Sequence, residues 1–293
     1  MYTLEELIDL LLKVKQLPTL NPVMVMVVKM LNEEEPDVHR ISKVLSDDPS
    51  MTGMLLKVAN SAMYGGRCKI ATVQDSVVRL GLKEVRKLVV DISVVNYVAK
   101  MPKGRLDPIE YWEHSIAVAI CMEEIHQLTR VLDTNGPQSH VVGLLHDIGR
   151  LICATHLQEA YRSLPDDPEE LGGNDDIVEL ERESLGIDHS QIGAAVLEHW
   201  GIPLKIVNCI RYHHEPDVCP KEQRKETWLL TLSDSICRMM KIGCAGEGAL
   251  KEIDQELWEK LELSPAIQDE IMKKIRARIK KSEVLLHISG MKR

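Results

Sequence analysis

The chain has 293 residues, 44% of them hydrophobic and 28% charged, with a formal net charge of −9. This balance is that of a soluble globular protein long enough for one large domain or two modest ones, and the acidic excess argues against nucleic-acid binding by the surface at large. Phe is absent, so the core must rest on Leu, Ile, Val and the 13 Met. The 7 Cys are irregularly spaced with no CxxC pair, which points to small core hydrophobes in a reducing cytoplasm rather than a zinc knuckle or disulfide framework. No run of 18 apolar residues occurs, and MYTLEELIDLLLKVKQLP carries early acids and no small-residue cleavage site. Neither a membrane span nor a secretory leader is expected.

Helix signals recur along the whole chain. Thr3 and Glu6 form a capping box ahead of Leu4, Leu7, Ile8, Leu11 and Leu12. Asn21-Pro22 and Asp48-Pro49 each place a capping side chain before a proline at the first helical position. Gly65-Gly66 stops the second of these segments, Asp75–Leu80 opens another, and LVVDISVVNYV continues as an apolar helix. Pro102-Lys103-Gly104-Arg105 reads as a linker, after which Asp107-Pro108 caps a helix from 108 to about 128. VVGLLHDIGRLICATH, residues 141–156, is apolar nearly all round and reads as one buried helix. Residues 162–178 are acidic and rich in Gly and Pro, an expected surface excursion. Asp188 to Gln191 is a capping box for a helix through Trp200, Pro203–His214 forms the next, then EQRKETWLLTLSDSICRMM, and Ser264-Pro265 starts the last. No stretch alternates with the period of a strand, so the fold class is all-α. Expected parts are 1–104, 105–245 and a C-terminal extension at 246–293.

His146 and Asp147 sit side by side in the most apolar helix, where a carboxylate is costly unless paired or bound to a cation. A metal ion would compensate both, and so would a local hydrogen bond. Glu110 and His114 share a helix face four residues apart, although Glu110 also suits the cap and His114 a core position. His189 follows the capping Asp188. His213 and His214 end a helix, where imidazolium is mildly favoured by the dipole. Asp234 lies within an apolar run four residues before Arg238. His and Asp residues at helical positions among apolar neighbours are what a metal site in a helical bundle requires. The run MKKIRARIKK at 272–281 is basic, but Ile271, Ile275 and Ile279 recur at intervals of four. Its Lys and Arg therefore read as the solvated face of an amphipathic helix, and nucleic acid is not an expected partner.

The order His114, His146-Asp147, Asp234 resembles the HD superfamily of metal-dependent phosphohydrolases. With HDIGR at 146–150, His189 and His213-His214-Glu215, the series is similar to the HD-GYP branch, in which Glu110 also falls at a ligand position. LPTLNPVMVMVVKMLNEE, ISKVLSDDPSMTGMLLKVANSAMYGG and VQDSVVRLGLKEVRKLVV resemble the HDOD domain, a bacterial signalling module. YWEHS, LLHDIGRL, GIDHSQIGAAVLEHWGIP and HHEP follow in the order that family has them, so the resemblance runs from about residue 15 to 240. It implies a multi-helix bundle of the HD/HDOD type with an N-terminal helical subdomain. His114, His146, Asp147 and Asp234 would hold one divalent metal, and His189, His213 and His214 a second with Asp147 bridging. Iron or manganese is favoured and zinc admissible. Asp147 and Arg150 would be the catalytic pair, Arg150 replacing the Lys of HD-GYP enzymes with a planar fork for a phosphate oxygen. The DGxGYP loop is replaced by EPDVCPKEQRKE. The resemblance thus implies a cytoplasmic signal-transduction module acting through a protein partner, with a nucleotide or phosphate ligand admissible. Its alternative is a metal-dependent phosphodiesterase acting on a cyclic dinucleotide or related nucleotide.

Overall fold

The computed structural model describes residues 22–30, 33, 37–61, 64, 69–99, 106–132, 137–157, 176–243 and 250–291. Among them there is helix and no strand. The expected helix at residues 4–12, Gly65-Gly66, the linker at 102–105 and most of the excursion at 162–178 lie outside the described residues. No described helix is long and apolar enough to cross a membrane.

The first helices are short and capped as their sequences dictate: α1 (Pro22–Met30), α2 (Val38–Ser46), α3 (Pro49–Ala59) and α4 (Val73–Leu80). Asp48 accepts from the amides of Ser50 and Met51, and Asp37 does the same for α2. α1, α3 and α4 pack on α5 (Leu82–Val98), whose Val85, Leu88, Val89, Ile92 and Val95 are buried, and α2 packs on α1, α3 and α4. The second half is built round α6 (Pro108–Thr129), which is buried on every side from Tyr111 to His126. α6 is covered by α5, α7 (Pro137–Leu145), α12 (Lys221–Met239) and α14 (Gln268–Ser289). Around the same end lie α8 (Ile148–His156), α9 (Asp176–Leu185), α10 (His189–His199) and α11 (Leu204–Arg211), and α13 (Gln255–Lys260) rests on α12. The buried apolar side chains form one connected cluster from Met24 to Leu286.

Two sequence expectations are corrected. Residues 141–156 are two helices, not one: α7 ends at Leu145, α8 begins at Ile148, and His146 and Asp147 occupy the turn between them. The His146 ring donates from Nδ1 to the carbonyl of Gly143 at 2.8 Å, satisfying an orphan carbonyl at the end of α7. The break lets α8 turn against α10, where Gly149 is the contact. A Cβ there would fall inside the carbonyl group of His189, with the amide of Gly193 at 2.8 Å.

The second correction concerns α14. Ile271 and Ile275 are buried as expected, but its basic residues do not all face water. Arg278 donates to Glu123 at 2.6 Å and to Glu124 at 2.7 Å, and Lys274 approaches Glu124 at 3.6 Å. The reason is on α6, which brings two carboxylates into the interior where they need cations. Lys87 of α5 adds a third cation, 2.7 Å from Glu123. His140 of α7 completes the network, 2.8 Å from Asp91 and 3.3 Å from Glu123. Burial disfavours the charged imidazole, yet the two carboxylates outweigh it and hold the His140 pKa up at about 9.

Two tests follow from this packing. Gly149→Ala drives a methyl into the backbone of α10 and should cost about 2–3 kcal/mol in urea unfolding. His140 is held above its unfolded value of 6.5, so its contribution is complete below pH 6.5 and is lost as pH rises through 9. The stability gap between the native chain and His140→Gln should therefore narrow across that window. About 3 kcal/mol is an upper figure for the change, because burial also raises Asp91.

Candidate metal centre

Six of the expected site residues converge where α6, α10, α12, the α7–α8 turn and the turn after α11 meet, and Asp147 stands among them. Asp147 is fully buried. It occupies the N-cap position of α8, yet its side chain makes no capping hydrogen bond. Instead its Oδ1 faces the Nε2 atoms of His189, His146 and His213 at 3.3, 3.5 and 3.8 Å. Neither carboxylate oxygen has an aligned hydrogen-bond partner among the described residues. Asp234 of α12 places Oδ1 3.0 Å from His114 Nε2 and 3.9 Å from His146 Nε2. On the other side, His214 Nε2 lies 2.8 Å from His189 Nε2.

The imidazoles share one device. His146 Nδ1 bonds to the Gly143 carbonyl at 2.8 Å, and His213 Nδ1 to the Ile210 carbonyl at 2.6 Å. His114 Nδ1 reaches the Ile242 carbonyl at 3.3 Å, and His189 Nδ1 reaches Glu181 Oε2 at 2.7 Å. A carbonyl can only accept, so at His114, His146 and His213 Nδ1 carries a proton and Nε2 is the atom turned toward the centre, as it is at His189. This is how metal-binding histidines are oriented.

Two groups have donors within 4.8 Å of one another: His114, His146 and Asp234, and His189, His213 and His214. A transition ion about 2.1 Å from each donor sets neighbouring donors about 3.0–3.4 Å apart; His114 and Asp234 meet that spacing at 3.0 Å, and the donor types suit such an ion. The electrostatics agree with a carboxylate held ionised. Burial opposes its charge, but His146, His189 and Arg150 draw the Asp147 pKa well below the usual carboxylate range. Asp234 is held at about 2 by His114, Arg238 and His146 against the same opposition. Burial and the neighbouring imidazoles push His213 down to about 4 and His214 well below its ordinary value. His189 goes the other way, because Glu181 and Asp147 outweigh its burial.

Arg150 is buried in the first turn of α8, with Nη1 3.7 Å from Asp147 Oδ2. Glu110 stands apart: its side chain is exposed on α6, where Asp107 caps the helix by accepting from the Glu110 amide. It belongs to neither donor group.

The sequence reading missed Glu181. Its Oε2 accepts from both the amide and Nδ1 of His189, each at 2.7 Å, and it is fully buried. Ile177, Val178 and Leu185, at helical intervals from it, would have placed it on the inner face of α9. Glu181→Ala strands two buried donors and should cost about 2–4 kcal/mol in urea unfolding. Glu181→Gln keeps an oxygen in place and should cost about 1 kcal/mol.

The profile of the HDOD domain matches residues 17–216. An uncharacterized protein of Treponema pallidum is 24% identical over 198 residues, 65% of this chain and 36% of that protein. The chain thus spans well under half the length of the curated relative it matches. Among solved structures, an HDOD domain protein of unknown function from Geobacter sulfurreducens matches with a TM-score of 0.77 at 21% identity, over 97% of this chain and 96% of its own. A structure from Marinobacter aquaeolei, named as a candidate signal transduction protein, gives 0.74 at 23% identity, over 94% of this chain and 60% of its own. A structure from Shewanella amazonensis, named as a candidate phosphohydrolase, gives 0.70 at 24% identity, over 94% and 97%. At these identities the likeness establishes the shared all-helical fold, the C-terminal helices included.

Proposed function

Because the chain belongs to the HDOD domain family, we propose that it is a bacterial, cytoplasmic signalling module that retains an HD-type metal centre and acts through a protein partner or bound ligand. The observation that carries the metal centre is the common anchoring of His114, His146, His189 and His213 through Nδ1, which aims four Nε2 atoms at two buried carboxylates. His114, His146 and Asp234 would hold one ion, and His189, His213 and His214 another, with Asp147 between them. Mixed imidazole and carboxylate donors favour iron or manganese, and zinc is admissible. The division at residues 104 and 245 belongs to the same proposal: every candidate ligand lies between those positions, and the flanking helices form the regulatory shell. The family supports the signalling reading, as does the name given to the Marinobacter structure of the same fold.

A second reading is favoured by one observation. His214 is only half-buried and lines a cavity, so the centre has a path to solvent. A phosphohydrolase acting on a nucleotide would use it. When bound, a metal pair supplies charge neutralisation at phosphorus and an acidified water. The chain's part would be the carboxylate of Asp147 at the centre and the buried Arg150 cation behind it.

Elemental analysis of the purified chain tests the metal centre directly. Between one and two equivalents of a transition metal are expected, falling severalfold or more in His146→Ala and Asp147→Ala. A native chain without metal would overturn it. Assays with cyclic dinucleotides and a chromogenic phosphodiester then separate the two readings. Metal without turnover supports the signalling module, and turnover abolished in Asp147→Ala supports the enzyme.

A further inference from the structure

The cavity at His214 has a volume of about 250 Å³, and its walls include Arg182, Ser190, Arg211, Tyr212 and Glu215. Two guanidinium groups from different helices, α9 and α11, meet there beside one of the candidate ligands. Their present partners differ in kind. Arg182 is oriented by the buried Asp188, which accepts from Nε at 2.8 Å. Its other contact is with Glu215, whose side chain is 53% exposed. Arg211 bonds through Nη2 to Glu198 at 2.6 Å, and that side chain is 49% exposed. Arg211 Nε is buried with no hydrogen-bond partner among the described residues.

We propose that this cavity binds a phosphoryl group, gripped by Arg182 and Arg211 and set against His214. Exposed carboxylates hold guanidinium groups weakly, with about 0–1 kcal/mol per pair, so Glu215 and Glu198 are exchangeable occupants. A phosphate has the charge and the acceptor oxygens to engage both guanidinium forks. Size limits the ligand further. Pockets that enclose drug-sized molecules measure about 300–1,000 Å³, so this one takes a phosphoryl head group and leaves the rest of the molecule in solvent. The proposal deepens the metal-centre reading by naming the ligand class. It rests on that reading for its direction toward His214 and not for its affinity.

Calorimetric titration of the full chain with inorganic pyrophosphate tests it, both as purified and after chelator treatment. Saturable binding in both states is expected, weakening as salt is raised. Arg211→Gln should weaken it by about tenfold or more with an unchanged melting temperature, and the double change with Arg182→Gln should abolish it. Glu198→Gln, which removes a competing carboxylate, should tighten it severalfold. No binding by the native chain, or equal binding by the native chain, Arg211→Gln and Glu198→Gln, would overturn the site. So would binding that vanishes with the chelator and ignores the arginines, because the anion would then be held elsewhere. Arginine-dependent binding by a chain that holds no metal as purified, before any chelator, would uphold the site and retire the metal centre.

Discussion

A carboxylate with no exposure to water, surrounded by imidazole nitrogens a little too far away to bond to it, is the constraint on which the centre depends. Asp147 has the position of a helix cap but makes no capping bond: its Oδ1 faces three Nε2 atoms and its Oδ2 faces Arg150. Holding an ionised group there costs several kcal/mol unless positive charge surrounds it. Arg150 supplies part of that charge, 3.7 Å from Asp147 Oδ2, and an ion held between Asp147 and the Nε2 atoms would supply the rest. Much local backbone serves the same end. The α7–α8 break turns His146 and Asp147 inward together, and Gly149 lets α8 lie directly on the backbone that carries His189.

α6 links this centre to the rest of the molecule. His114 lies near its start, facing Asp234, while Glu123 and Glu124 lie further along it within the network of Lys87, His140 and Arg278. One helix therefore carries a candidate ligand at one end and the charged junction with α5 and α14 at the other. The apolar cluster packs around that helix along its length, so the centre and the junction share one core.

The all-helical fold was legible because its local signals are strong. The caps at Asp48, Asp107 and Asp188 each start a helix where the sequence places it. The convergence of the candidate residues was legible because His and Asp are conspicuous in apolar runs, and His114, His146, Asp147, His189, His213, His214 and Asp234 do meet. Periodicity failed at 141–156 because a helix broken by a two-residue turn has the same apolar pattern as a continuous one. Glu181 escaped because an acid in an acidic stretch carries no mark of its partner. Arg278 was assigned to solvent because a local pattern cannot show two carboxylates arriving from α6. Glu110 had the right spacing but is exposed, since four residues on a helix fix a face only to within the reach of a side chain.

The account stands or falls on whether the Nε2 atoms and Asp147 enclose ions. Anomalous diffraction at the manganese or iron edge, from crystals of the metal-loaded chain, tests this most directly. The account predicts two peaks, one against His114, His146 and Asp234 and one against His189, His213 and His214, with Asp147 touching both. Crystals soaked in either metal that show no peak there, with Asp147 hydrogen-bonded directly to the imidazoles, would contradict it.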